Sequence, residues 1–134
     1  ALPGIYTALK NATYDAVAVV ACDMVFASPR LVAAEFQELW HTGAAAVVPA
    51  NRNGYEPFHA VYRASACLPA VEARLREGDQ RAQAFFDDVE VCAFPQSRVL
   101  MAEPGGRCFI NANTPEDLAY TEKLARDEGD ELIL

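Results

Sequence analysis

The sequence lacks several features that would place it in a broad class at once. No apolar run reaches about 18 residues, the length that a membrane-spanning helix needs, and no charged and apolar leader opens the chain. Basic residues are few, with 11 Lys and Arg against 19 Asp and Glu and a net charge of −8. Because nucleic-acid backbones are bound by clustered Lys and Arg, we expect no nucleic-acid interface. These absences predict a soluble, cytoplasmic protein without a membrane partner.

Paired cysteines are also missing. The four cysteines are widely spaced and form no C-x-x-C pair, the spacing typical of zinc and redox sites. They are Cys22, Cys67, Cys92 and Cys108. We therefore expect reduced thiols that are mostly buried, where Cys behaves as a small apolar residue.

The apolar pattern predicts one α/β domain. A chain of 134 residues suits a single core. A strand is predicted at about 17–22, a helix from the N-cap Ser28 to Gly43, and a second strand at 44–48. A helix between two such strands predicts a parallel pair with a right-handed crossover. The fold class is then α/β, with three layers and a mostly parallel or mixed sheet flanked by helices.

The remaining elements are predicted from shorter patterns. Strands are expected at 58–62, 89–94, 99–101 and 108–110, and helices at 65–77, 80–87 and from Thr114 to about Asp127. Trp40 and the phenylalanines are predicted to lie in the core.

Asp23 is the most informative polar residue, because it directly follows an apolar strand pattern. Ligands in open α/β sheets gather at the carboxyl ends of strands, and a carboxylate there suits Mg²⁺ beside a phosphate. A helix N-cap is the alternative, although Ser28 fills that role better.

Four segments follow one another in a specific order: V-V-A-C-D-M at 19–24, E-P-F-H-A-V-Y at 56–62, G-D-Q-R at 78–81 and F-I-N-A-N-T-P-E-D-L at 109–118. Together they resemble the MobA-like molybdenum cofactor guanylyltransferase family of nucleotidyltransferases. Val25 departs from the Pro that the family usually has there, and no Gly-rich loop of the form L-A-G-G-x-S-x-R-M occurs. The resemblance therefore implies part of a nucleotide-diphospho-sugar-transferase-like fold. Residues 1–134 would form its C-terminal, substrate-side portion, with a sheet edge covered by a preceding segment or by a second copy.

The resemblance also implies a reaction and a set of site residues. The reaction would transfer GMP from Mg²⁺-GTP to molybdopterin and release pyrophosphate, with Mg²⁺ as the cofactor. Asp23 would hold the metal and act in catalysis together with Asn113. The substrate-binding residues would be Asn111, His59, Glu56 and Arg81.

Each of these roles has a structural alternative. Asn111 and Asn113 suit a turn that shapes a helix entry, His59 suits a satisfied structural position, and Arg81 suits a solvated surface. For the function, the alternatives are a non-catalytic fold that binds molybdopterin or a protein partner, and a relative that uses CTP or a sugar phosphate.

Overall fold

The computed structural model describes residues 1–21, 28–52 and 54–103, and the fold is given for these ranges. They form four α-helices, five strands and a short 3₁₀ turn at Phe86–Asp88. The helices are α1 (Leu2–Lys10), α2 (Pro29–Thr42), α3 (Ala64–Arg76) and α4 (Gln96–Ala102). The strands are β1 (Ala16–Val20), β2 (Ala46–Asn51), β3 (Gly54–Tyr55), β4 (His59–Arg63) and β5 (Val91–Pro95).

The strands form one mixed sheet in which β4 and β2 are central. Strand β4 runs antiparallel to both β1 and β2, while β5 runs parallel to β2. Ala46 pairs with both Tyr62 and Val91, so β4 and β5 lie on opposite edges of β2. Among the described residues β1 pairs with β4 alone. The expectation that something covers its other edge stays a prediction.

Helices cover both faces of the sheet, which gives three layers. Side chains of a strand alternate between the two faces. Ala60 and Tyr62 of β4 therefore join one core cluster, which includes Leu2 and Ile5 of α1 and Val71 of α3. On the other face, Val61 joins a cluster with buried side chains of α2 and α4, namely Leu31, Leu39 and Val99.

Helix α2 begins and ends where its capping residues require. The Ser28 side chain accepts a hydrogen bond from the Leu31 amide, and Pro29 occupies the first helical position. At the other end Gly43 adopts the left-handed conformation, with φ of 70°, and its amide donates to the Leu39 carbonyl. The predicted bounds of this helix are confirmed.

The fold class and most elements are confirmed, but three predictions about individual elements are wrong. The predicted pairing of the first two strands fails because β4 lies between β1 and β2, which do run in the same direction. Residues 99–101 are helical in α4, since a short apolar run does not separate strand from helix. The predicted helix at 80–87 is a series of turns that ends in the 3₁₀ turn. The strand at 108–110 and the helix from Thr114 lie outside the described residues.

Trp40 does not lie in the core as predicted, since 65% of its surface is exposed. Leu31, Glu35 and Leu39, four residues apart, form the buried stripe of α2. Trp40 follows Leu39 directly and is therefore rotated by about 100° around the helix. Its ring instead contacts Phe36, with ring centroids 5.5 Å apart. Phe85 and Phe94 are buried as predicted.

Within the described ranges, no helix combines the length and the apolar character needed to cross a bilayer.

Two glycine substitutions test the helix bounds with opposite expected signs. Gly43→Ala places a side chain on left-handed backbone, where a Cβ meets no atom within 4 Å but the conformation is strained. We expect a loss of about 1 kcal/mol in the free energy of unfolding. Gly4→Ala lies inside α1, where a Cβ makes only ordinary contact with Phe58, and should add about 0.5–1 kcal/mol. Urea unfolding measures both, and equal effects would contradict the assigned C-cap.

Candidate functional site

The candidate site is built on the first residues of β4. His59 lies on the face of β4 that is covered by α2, and its side chain is fully buried. The backbone amide of Ser28 donates to its Nε2 atom at 3.0 Å. A backbone N–H can only donate, so Nε2 carries a lone pair and the neutral ring holds its proton on Nδ1. The hydrogen bond therefore assigns both the charge and the tautomer of His59.

The Nδ1 side of the ring faces Glu35, a carboxylate in the buried stripe of α2. Nδ1 lies 3.6 Å from Oε1 of Glu35, slightly beyond ordinary hydrogen-bond length, and both side chains have no exposed surface. Within the described residues the Glu35 oxygens have no shorter polar contact. Burial raises the pKa of the Glu35 carboxyl to about 7, while the contact with His59 opposes part of the rise. Glu35 therefore changes its charge near neutral pH.

Ser28 connects this pair to a second part of the chain. Its hydroxyl accepts from the Leu31 amide and donates to Oε2 of Glu103 at 3.1 Å. Ser28 is the first described residue after 22–27, and Glu103 is the last described residue before 104–134. The hydrogen bond therefore joins two points of the chain that border these two segments.

Three predicted site residues fall in these segments. Asp23 belongs to 22–27, whereas Asn111 and Asn113 belong to 104–134, so all three lie outside the described residues. Their roles stay predictions. The described ranges themselves contain no group of three or more His, Cys, Asp or Glu arranged to hold a metal ion.

Glu56 and His59 lie close together at the loop that leads into β4. Glu56 is partly buried, its amide donates to the Pro49 carbonyl at 2.8 Å, and its carbonyl accepts from the His59 amide at 3.4 Å. The buried His59 ring is engaged by Ser28 and Glu35. Direct contact between this ring and a substrate stays a prediction that the observed burial does not favour.

Arg81 lies apart from these residues. Its segment packs on the α1 and α3 side of the sheet, opposite to His59, as the burial of Phe85 in that cluster shows. The guanidinium is exposed and binds Asp79 through two hydrogen bonds, of 3.1 and 2.8 Å. These hydrogen bonds lower the pKa of the Asp79 carboxyl to about 2. The predicted substrate contact of Arg81 is untested, and its present partner is the chain's own carboxylate.

Glu35 is the residue that the sequence reasoning missed. Its signal is a charged side chain at the middle position of the stripe formed by Leu31 and Leu39, where an apolar residue is expected. A carboxylate at such a position needs a polar partner, because an unpaired buried charge is costly. In the sequence, the alternation of side chains along β4 is the pattern that points to His59 as this partner, because it places His59 on the face covered by α2.

The comparisons with known proteins agree with this fold. The nucleotidyltransferase domain described as "MobA-like NTP transferase domain" matches residues 1–97, and the chain belongs to this family. A relative from Thermococcus gammatolerans, named probable molybdenum cofactor guanylyltransferase, is 36% identical over 90% of this chain and 60% of its own length. One of the same name from Methanothermobacter thermautotrophicus is 33% identical over 87% of this chain and 58% of its own length.

A solved structure shares the fold. Molybdopterin-guanine dinucleotide biosynthesis protein A from Archaeoglobus fulgidus superposes with a TM-score of 0.84 at 24% identity, over 95% of this chain and 63% of its own chain. The chain thus spans about three fifths of the length of the relatives it matches. The expected family is confirmed.

The raised pKa of Glu35 predicts a pH-dependent stability. The folded protein keeps the Glu35 proton up to about pH 7, whereas the unfolded chain loses it near the ordinary value of 4.5. The free energy of unfolding therefore keeps its full contribution from Glu35 below pH 4.5. It loses up to about 3 kcal/mol of that contribution as the pH rises through 7. Glu35→Gln has no such proton. Its stability relative to the wild type should rise by up to this amount between pH 4.5 and 8, as measured by urea unfolding.

Leu39→Ala is the matched control, because it lies in the same stripe and removes no titratable group. Its destabilisation should be the same at both pH values. A Glu35→Gln difference that is equally independent of pH would contradict the assignment.

Proposed function

We propose that the protein transfers GMP from Mg²⁺-GTP to molybdopterin and releases pyrophosphate. The observation that carries this proposal is family membership over residues 1–97, together with relatives named as molybdenum cofactor guanylyltransferases at 36% and 33% identity.

The proposed protein ligand, the carboxylate of Asp23, suits Mg²⁺. Mg²⁺ usually takes one or two protein carboxylates and keeps several waters, so Asp23 alone is a sufficient protein ligand. When bound, Mg²⁺ would neutralise phosphate charge and align the acceptor phosphate with the α-phosphorus of GTP. No described residue is needed as a covalent nucleophile, because positioning and electrostatics supply most of the catalysis in phosphoryl transfer.

The other predicted residues would bind the substrates. Asn113 and Asn111 would hold a metal-bound phosphate or the pterin through their amide groups, with Asn113 closest to the chemistry. Glu56 would contact the acceptor from the loop before β4, where it is partly buried. Arg81 is exposed, and it would have to exchange Asp79 for a substrate phosphate.

The activity assay uses the intact protein with Mg²⁺-GTP and molybdopterin and follows the release of pyrophosphate. We expect release that requires both substrates. Faster turnover with CTP or with a sugar phosphate as acceptor would assign the protein to a related nucleotidyltransferase. Binding of molybdopterin without turnover would contradict the proposal and favour the non-catalytic alternative.

Asp23→Asn tests the metal ligand. The change removes the charge that would hold Mg²⁺, so we expect transfer to fall on the order of 10²-fold or more, the cost of losing a principal electrostatic stabiliser. The circular dichroism spectrum should stay unchanged. Asp87→Asn makes the same chemical change at an exposed residue of the 3₁₀ turn and should keep full activity. Unchanged turnover of Asp23→Asn refutes the assignment.

A further inference from the structure

Tyr55 is a partly exposed aromatic residue at the edge of the sheet where β1, β2 and β5 end. It belongs to β3 and pairs with Ala50, the second-last residue of β2. Strand β5 runs parallel to β2, and β1 runs in the same direction, so their carboxyl ends lie at this one edge. Ligands of open α/β sheets bind beyond such ends. Tyr55 keeps 37% of its surface exposed there.

A series of aromatic contacts holds the Tyr55 ring in place. It meets the Phe86 ring edge-on, with centroids 5.3 Å apart and ring planes at 83°. Phe86 contacts Phe85 in the same way, at 5.1 Å and 87°. Phe85 is fully buried and lies 6.0 Å from the ring of Tyr62. Because edge-to-face contacts of this length are favourable, these rings anchor Tyr55 to the core on the α1 and α3 side of the sheet.

The loop after Tyr55 is also fixed, and it carries a carboxylate. Glu56 follows Tyr55 directly, and its amide donates to the Pro49 carbonyl at 2.8 Å. The next carbonyl, that of Pro57, accepts from the Tyr62 hydroxyl at 2.6 Å. An aromatic ring and a carboxylate therefore stand on adjacent residues of a loop that is bound to two strands of the sheet.

We propose that Tyr55 binds the acceptor substrate, with its ring stacked on the pterin ring of molybdopterin. The inference rests on the proposed function, in which the neighbouring Glu56 contacts the same acceptor. A pterin is flat, and its 2-amino-4-oxo edge carries two adjacent N–H donors. An aromatic ring and a carboxylate suit these two features. Guanine presents the same edge, so the guanine base of GTP is the competing occupant.

The exposure of Tyr55 favours this role over simple cover of the core. A residue that only covered Phe86 would gain most by burying its own apolar surface, whereas Tyr55 leaves more than a third of its surface in solvent. A ring that its neighbours already hold loses little rotamer freedom when a flat ligand binds. Tyr55 is therefore preorganised for stacking.

Substitutions of Tyr55 test the proposal in the intact protein. The readout is the Kd of molybdopterin, measured by calorimetry without nucleotide or Mg²⁺. Tyr55→Ala should raise this Kd by about 5- to 150-fold, the usual effect of removing a stacked aromatic ring. Tyr55→Phe keeps the ring and should stay within about threefold of the wild type.

Tyr55→Leu separates stacking from packing. Leucine keeps apolar contact with Phe86 but has no aromatic face, so it should bind molybdopterin at least about fivefold more weakly than Tyr55→Phe. If Tyr55 only covers the core, the two variants should bind equally well. Equal Kd values in Tyr55→Leu and Tyr55→Phe would therefore overturn the proposal.

Tyr14→Ala is the matched control. It removes the same side chain from a residue that is 78% exposed and that precedes β1, at the opposite end of the strand. Its Kd should equal that of the wild type, and the circular dichroism spectra of all variants should agree. A Tyr55→Ala variant that binds as tightly as Tyr14→Ala contradicts the stacking role.

Turnover separates the pterin from the guanine base. Tyr55→Ala should raise the KM for molybdopterin by the same factor as the Kd and should leave the KM for GTP within about twofold of the wild type. A rise confined to the KM for GTP would assign the Tyr55 ring to the guanine base and overturn the proposal.

Binding and turnover together separate this inference from the proposed function. A wild-type protein that binds molybdopterin without releasing pyrophosphate would contradict the function alone, and the Kd series would still decide the role of Tyr55. A wild-type protein that transfers GMP, with a Tyr55→Ala variant of unchanged Kd and KM, would overturn this inference alone. A wild-type protein that neither binds nor modifies molybdopterin would overturn both.

Discussion

The structure depends on how one buried backbone amide, that of Ser28, finds an acceptor. Ser28 lies at the junction where the chain enters α2, and an unpaired amide there would cost about 1–3 kcal/mol. The chain supplies the imidazole of His59, 31 residues further on. For Nε2 to accept this hydrogen bond, the ring must be neutral and must carry its proton on Nδ1. Glu35 lies beside Nδ1, and the burial of its carboxyl group in the apolar stripe of α2 is energetically unfavourable for the charged form.

Strand β4 makes this contact possible because it is central to the sheet. It pairs with β1 and β2, and its alternation directs Tyr62 to the α1 and α3 face and His59 to the α2 face. The same strand therefore contributes Tyr62 to the core on one face and the His59 contact with Ser28, at the start of α2, on the other face. Chemistry in open α/β sheets is expected at strand ends, and here the candidate site lies at the end of a strand whose first four residues are buried.

Local signals in the sequence predicted much of the fold. The two ends of α2 were predicted correctly from Ser28 and Gly43, because capping depends on a few neighbouring residues. The insertion of β4 between β1 and β2 was not predicted, since strand order depends on contacts between distant parts of the chain. The apolar pattern at 99–101 was too short to distinguish a strand from a helix. Trp40 fits the helical spacing of apolar residues in α2, but it lies outside the buried stripe and is exposed. For the site, the sequence indicated His59 and Ser28 separately, but their hydrogen bond and the role of Glu35 required the assembled sheet.

The protonation state of the His59 ring tests the account most directly. Nitrogen-15 chemical shifts of the imidazole, measured by NMR at pH 8, distinguish the two neutral tautomers from the charged ring. We predict a proton on Nδ1 and a lone pair on Nε2, together with a scalar coupling from Nε2 to the Ser28 amide across the hydrogen bond. A proton on Nε2, in either the other neutral tautomer or the imidazolium, would contradict the account, because that nitrogen could not then accept a hydrogen bond from the Ser28 amide.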